Sequence, residues 1–102
     1  MADTTMVIVT GSVTARADAV SEVEDLCLAH VRRSRTEPGC LLHSVHRDVE
    51  NRDRFVFLEH WRSRADLDRH FAVPESAGLI EALRERCVAL SPIEIYEVAG
   101  PA

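Results

Sequence analysis

Lysine is missing from this chain altogether: all twelve of its basic residues are arginine. Schiff-base chemistry on a lysine amine is thereby excluded. Glutamine is missing too, Asn51 is the single asparagine, and Trp61 is the single tryptophan. Neither a G-x-x-x-x-G-K-[ST] loop nor a G-x-G-x-x-G turn occurs, so no nucleotide site is expected. No apolar run approaches the roughly 20 residues that cross a bilayer, so no membrane partner is expected. No basic segment precedes the short apolar run Met6–Val9, which argues against a secretory signal. Cys27, Cys40 and Cys87 are widely spaced without a C-x-x-C. They read as reduced thiols of a cytoplasmic protein, each a small buried hydrophobe, rather than a disulfide frame or zinc site. The net charge of -5 argues against nucleic acid, whose phosphates call for a basic face.

What is present fits one domain. The 102 residues, 46% hydrophobic, suffice for a single core. Residues 6–14 are β-branched and predict a strand, with Gly11 marking a bulge or close approach. Asp18 is placed to cap a helix over about 19–36, in which Val20, Val23, Cys27, Val31 and Ser34 recur at helical spacing. His30 falls on the edge of that stripe. Pro38-Gly39 ends the helix. Residues 40–48 and 54–61 predict a hairpin about the polar turn Val49–Asp53. Ser63-Arg64-Ala65-Asp66 resembles a capping box that opens a short helix over 64–71. Pro74 interrupts, and Leu79, Ile80, Leu83, Cys87 and Leu90 predict a further helix over 75–90. Pro92 precedes a last strand over 93–98.

The order β-α-β-β-α-β predicts an α+β, ferredoxin-like subunit: a four-stranded antiparallel sheet with helices on one face. The second hairpin strand has two largely apolar faces, Phe55-Phe57-Glu59-Trp61 and Val56-Leu58-His60. Helices cover only one of them. A second copy of the chain is the simplest cover for the other, which predicts a twofold homodimer.

The chemistry concentrates between Glu37 and His70. Glu59 and Trp61 share a strand face with Phe55 and Phe57. Leu67, His70 and Phe71 share a helical face that returns over the strand end. The result is an apolar cleft with one carboxylate, one indole and one imidazole, suited to a flat hydrophobic ligand. Plainer roles compete. Trp61 also fits a core, Glu59 also fits a pair with Arg62 or Arg64, and His70 also fits simple packing. His43 either points into the cleft or lines the core. His30 and His46 read as surface or edge residues. The five histidines show no H-x-x-x-H, and His43 and His46 face opposite sides of a strand, so no metal site is expected.

Glu37-Pro38-Gly39-Cys40, then Phe55-x-Phe57-x-Glu59-x-Trp61, then a helix ending in His70, together resemble the antibiotic biosynthesis monooxygenase (ABM) family over nearly the whole chain. The resemblance implies a dimeric α+β barrel. It also implies either oxygenases that act on quinols and polycyclic phenols without metal or flavin, or haem-degrading enzymes. Trp61 and His70 fall where the family places an aromatic pocket residue and a helix histidine, and Glu59 matches the family carboxylate. Two departures matter. Met6–Thr14 lacks the first-strand asparagine of the haem-degrading members, and Phe57 stands where some polyketide-modifying members have asparagine.

The implied reaction is a cofactor-independent monooxygenation of a quinol, anthrone or polyketide-like phenol. Triplet dioxygen reacts slowly with ordinary organic molecules, whereas a phenolate or enolate donates the first electron itself. The protein then has to hold the ring, remove a proton and exclude water. His70 is the first candidate base and His43 the second. Trp61 is the candidate aromatic wall and oxyanion donor, with Phe55, Phe57, Glu59, His43 and Phe71 as substrate contacts. Two rivals use the same scaffold: a non-catalytic small-molecule-binding or stress-response dimer, and a proton-shuttling isomerase.

Overall fold

The computed structural model describes residues 5–99. Its central strand is β1 (Thr5–Ala15), which pairs antiparallel with β3 (Arg54–Trp61), and β3 pairs in turn with β2 (Cys40–Arg47). The other edge of β1 is divided. Thr5–Thr10 pair with β5 (Glu94–Ala99), and Val13–Ala15 pair with β4 (Cys87–Leu90). The helices are α1 (Val20–Ser34), α2 (Arg64–Ala72) and α3 (Pro74–Arg86). This is the expected α+β ferredoxin-like fold, with the second helical region broken at Pro74 and, among the described residues, five strands instead of four.

The extra strand corrects the expected helix over 75–90. The helix stops at Arg86, and Cys87 turns to an extended conformation. Short as it is, β4 supplies ladder partners to the C-terminal half of β1, whose backbone groups would otherwise go unpaired at the sheet edge. The start of α1 also differs. Its cap is Ala19, without a side-chain hydrogen bond, and Asp18 instead pairs with Arg16 on the surface at 3.1 Å.

Strand register sets what faces the helices. Across the sheet, Val9, Glu59 and His43 stand opposite one another, and the neighbouring rows bring Val7 and Cys40 to Trp61, and Val45 to Phe57. A bulge between Cys40 and Leu42 leaves Leu41 unpaired and exposed. Phe55, Phe57, Glu59 and Trp61 are buried, while Val56, Leu58 and His60 are only half-buried. The first set therefore faces the helices, as the pattern predicted.

Two apolar clusters fill that face. One joins Val13, Val23, Cys27, Val31, Phe55, Phe57 and Leu83; the other joins Val7, Val9, Trp61 and Leu67. The turn between α1 and β2 is fastened to the start of α2. Ser63 caps α2 by accepting from the Asp66 amide at 3.2 Å and donating to its carboxylate at 2.9 Å. Gly39, at φ 80, accepts the Arg62 amide at 2.8 Å and lies so close to Asp66 that a Cβ would fall 2.2 Å from its carboxyl group. Only glycine fits there.

Candidate active site

Five segments deliver polar side chains to one place between the sheet and the helices. α1 brings His30, the following turn Glu37, β2 His43, β3 Glu59, and α2 His70. All three histidines are buried, as is Glu59 at 8% exposure. Ser76 Oγ donates to the His70 carbonyl at 2.7 Å, which ties α2 to α3 just past the histidine.

Partner chemistry fixes the proton positions. His70 Nδ1 lies 2.8 Å from Glu37 Oε1. A carboxylate only accepts, so Nδ1 carries hydrogen and Nε2 is left as the lone-pair nitrogen of the neutral ring. That Nε2 is 3.9 Å from Glu59 Oε1. The other Glu37 oxygen accepts from Arg33 at 2.8 Å, and Arg33 also donates to His30 Nδ1 at 2.9 Å. A guanidinium only donates, so His30 holds its proton on Nε2. Burial, followed by repulsion from His43, His70 and Arg33, pushes the His30 imidazole down to about 3, so it is neutral at physiological pH.

Glu59 accepts the Trp61 indole N–H at 2.9 Å. Burial alone would raise its carboxyl, but the neighbouring His43, the Trp61 N–H and, last, His70 outweigh that and hold it below the ordinary value. His43 Nε2 stands 3.4 Å from the same oxygen without hydrogen-bond geometry, and among the described residues neither His43 ring nitrogen has a hydrogen-bond partner.

Next to this group is a cavity of about 210 Å³. Its polar lining includes His30, Glu59 and His70, and its apolar lining includes Phe57, Leu79 and Leu83. Of the residues expected to contact substrate, Phe57, Glu59 and Phe71 line it, as does the expected base His70. Phe55, Trp61 and His43 do not. Phe55 lies in the core with the Arg47 guanidinium 4.7 Å over its ring. Trp61 is fully buried behind His70, ring centroids 4.6 Å apart, and its N–H is committed to Glu59, so it is a support rather than a wall or an oxyanion donor.

Two expectations about histidine are corrected. His30 is neither a surface nor a loose edge residue: it lines the cavity and touches both other imidazoles. And the histidines do form a constellation, because one nitrogen each of His30, His43 and His70 lies within 4.8 Å of the others. Spacing along a single strand could not reveal this, since the three come from three elements. Glu37 was also missed as a site residue, read only as the first residue of the Glu37-Pro38-Gly39-Cys40 motif. A signal was present: His30, Arg33 and Glu37 are spaced i, i+3, i+7, which puts them along one side of a helix running into the turn.

Comparison with known proteins bears on the family and the fold. The family model described as antibiotic biosynthesis monooxygenase matches residues 6–82. A Synechocystis protein, sll1783, itself uncharacterized, is 32% identical over 93 residues; the match covers 91% of this chain but only 63% of that protein. A crystal structure from Deinococcus radiodurans, which carries the antibiotic biosynthesis monooxygenase name provisionally, is 31% identical with a TM-score of 0.87, covering 94% of both chains. Protein PA3566 of Pseudomonas aeruginosa is 25% identical with a TM-score of 0.78, covering 100% of both.

Proposed function

The chain belongs to the antibiotic biosynthesis monooxygenase family, and from that membership and the chemistry of the cavity we propose that it oxidises an electron-rich aromatic with dioxygen. The substrate class is a quinol, an anthrone or a polyketide-like phenol, and the reaction uses neither metal nor flavin. The observation that carries the reading is the Glu37–His70 pair, which leaves His70 Nε2 as a proton acceptor at the edge of an apolar cavity.

In this mechanism the ring lies against Phe57 and the α3 leucines. His70 Nε2 takes the acidic proton of the substrate, and the resulting imidazolium sits between Glu37 at Nδ1 and Glu59 at 3.9 Å from Nε2. The substrate anion then passes an electron to dioxygen. For an anthrone the balance is one CH₂ and one O₂ giving one C=O and one H₂O, so no outside reductant is required. The buried setting keeps water from the base and from the radical pair.

Assembly is part of the proposal. The outward sheet face presents the half-buried Val56 and Leu58 together with Ile8, Leu42 and Val98, and an apolar face of this kind supports a sheet-to-sheet homodimer. The test of the reaction is oxygen uptake by metal-stripped protein over a panel of quinols and anthrones. Uptake with one atom of dioxygen entering the product and the other leaving as water, an anthrone giving a quinone or a quinol a hydroxyquinone, supports the oxygenase; a quinol that yields only its quinone and H₂O₂ overturns it. Tight binding without uptake overturns it in favour of a ligand-binding dimer, and substrate rearrangement without uptake in favour of an isomerase.

A further inference from the structure

We propose that His30, His43 and His70, with the Glu59 carboxylate, form a binding site for one first-row divalent transition-metal ion. Three observations carry this. One nitrogen of each imidazole lies within 4.8 Å of the other two. The ring centroids form a nearly equilateral triangle with sides of 5.3, 5.3 and 5.5 Å. Three imidazoles held tetrahedrally at about 2.0–2.1 Å from a metal put their centroids roughly 5 Å apart. The rings thus already stand at the right separation, and closure requires them to turn rather than the backbone to move.

The third observation is His43. It is 1% exposed, and among the described residues neither of its ring nitrogens has a hydrogen-bond partner. Buried imidazoles ordinarily satisfy at least one nitrogen, and a metal–nitrogen bond would satisfy this one. A fourth ligand stands beside it: Glu59 Oε1 is 3.4 Å from His43 Nε2 and 3.9 Å from His70 Nε2. Glu37 on His70 Nδ1 is the outer carboxylate that ring-nitrogen ligands usually have. Three imidazoles and one carboxylate suit zinc, cobalt, nickel or iron and do not suit calcium or magnesium.

Arg33 controls access to the site. If His30 binds through Nδ1, the Arg33 guanidinium already occupies that lone pair; if it binds through Nε2, Nδ1 must take up a proton facing a donor. By either route the metal has to displace the Arg33–His30 hydrogen bond. Arg33 is 29% exposed and keeps Glu37 as its other partner, so it can yield.

This goes beyond the oxygenase reading and opposes it at one atom, because a metal on His70 removes the lone pair that the base needs. Loaded protein should therefore lose the cofactor-free activity, and binding can be read with no substrate present. The experiment titrates metal-stripped wild type, His43→Ala and Arg33→Met with Co²⁺, following the ligand-field absorption of tetrahedral Co²⁺ and the stoichiometry, with circular dichroism reporting folding. One Co²⁺ per chain is expected, weakened at least about tenfold in His43→Ala and tightened in Arg33→Met, which removes the donor competing for His30 Nδ1. Absence of saturable binding overturns the proposal, as does a folded His43→Ala that binds like wild type. Should His43→Ala not fold, Arg33→Met decides alone: affinity equal to or weaker than wild type removes the site.

Discussion

Glu37 Oε1 lies 2.8 Å from His70 Nδ1 across 33 residues of sequence. That contact orients the imidazole and sets its tautomer, so the two residues should fail together. His70→Ala should lower oxygen-dependent turnover by about 10²- to 10⁴-fold with ligand binding largely kept. Glu37→Gln offers an amide donor to Nδ1 and favours the wrong tautomer, so its loss should be of similar order. Steady-state oxygen uptake together with a ligand titration on each variant checks this. A folded His70→Ala protein with undiminished turnover would move the role of base elsewhere.

Gly39→Ala should be among the more damaging single-methyl additions in the chain. The positive φ costs roughly 1–3 kcal/mol for a residue with a Cβ, and the added carbon meets Asp66 at 2.2 Å. Urea denaturation should show a fall of at least about 2 kcal/mol, because this glycine joins the turn bearing Glu37 to the helix bearing His70. A midpoint close to wild type would show that the turn can re-form around a side chain.

Trp61 separates stability from binding. Trp61→Ala empties a fully buried site and should cost about 3–5 kcal/mol. Trp61→Phe keeps most of the volume but deprives Glu59 of its N–H, at about 1–3 kcal/mol. Since the indole does not face the cavity, Trp61→Phe should bind ligand nearly as wild type does. Denaturation curves and ligand titrations of the two variants check both halves.

Burial, and secondarily Cys87, push the Cys27 thiol up to about 12. At pH 8 it is therefore protonated as well as inaccessible. Iodoacetamide should leave Cys27 unmodified in native protein and alkylate it once denaturant opens the core. Peptide mass mapping reads the difference, and rapid native labelling of Cys27 would contradict the packing of α1 on the sheet.

Val56→Arg tests the proposed assembly. A guanidinium at this half-buried outward position would be left unpaired against a facing copy, so the variant should be monomeric or aggregated where the wild type is dimeric. Sedimentation velocity at micromolar concentration decides, and a monomeric wild type would end the dimer reading.

Much of this fold is legible in the sequence because its signals are local. The β-branched run of β1, the alternation of β3, the Ser63–Asp66 cap and Gly39 each state a backbone requirement within a few residues. The misses share a different cause. Cys87 and Leu90 continue the α3 spacing well enough to pass for helix, and only the unpaired half of β1, far away in sequence, makes extended structure the better choice. Phe55 and Trp61 lie on the correct strand face, but whether they meet a ligand or a neighbour depends on where the helices leave space. His30 and Glu37 acquire meaning only when α2 folds back and supplies His70. In each case the deciding partner was tertiary.

The cavity divides its labour by element. Every imidazole and carboxylate near it comes from α1, the turn after it, β2, β3 or α2, whereas α3 contributes Leu79, Ile80 and Leu83 and no ionisable group. Much of the ligand-shaping wall thus lies on α3, with β1, Phe57 and Phe71 supplying other parts of it, while the reactive groups lie elsewhere. Substitutions along α3 can enlarge, narrow or reshape the chamber while the proton-handling groups stay where they are, so the range of molecules accepted can drift in evolution, or be steered in the laboratory, without rebuilding the chemistry.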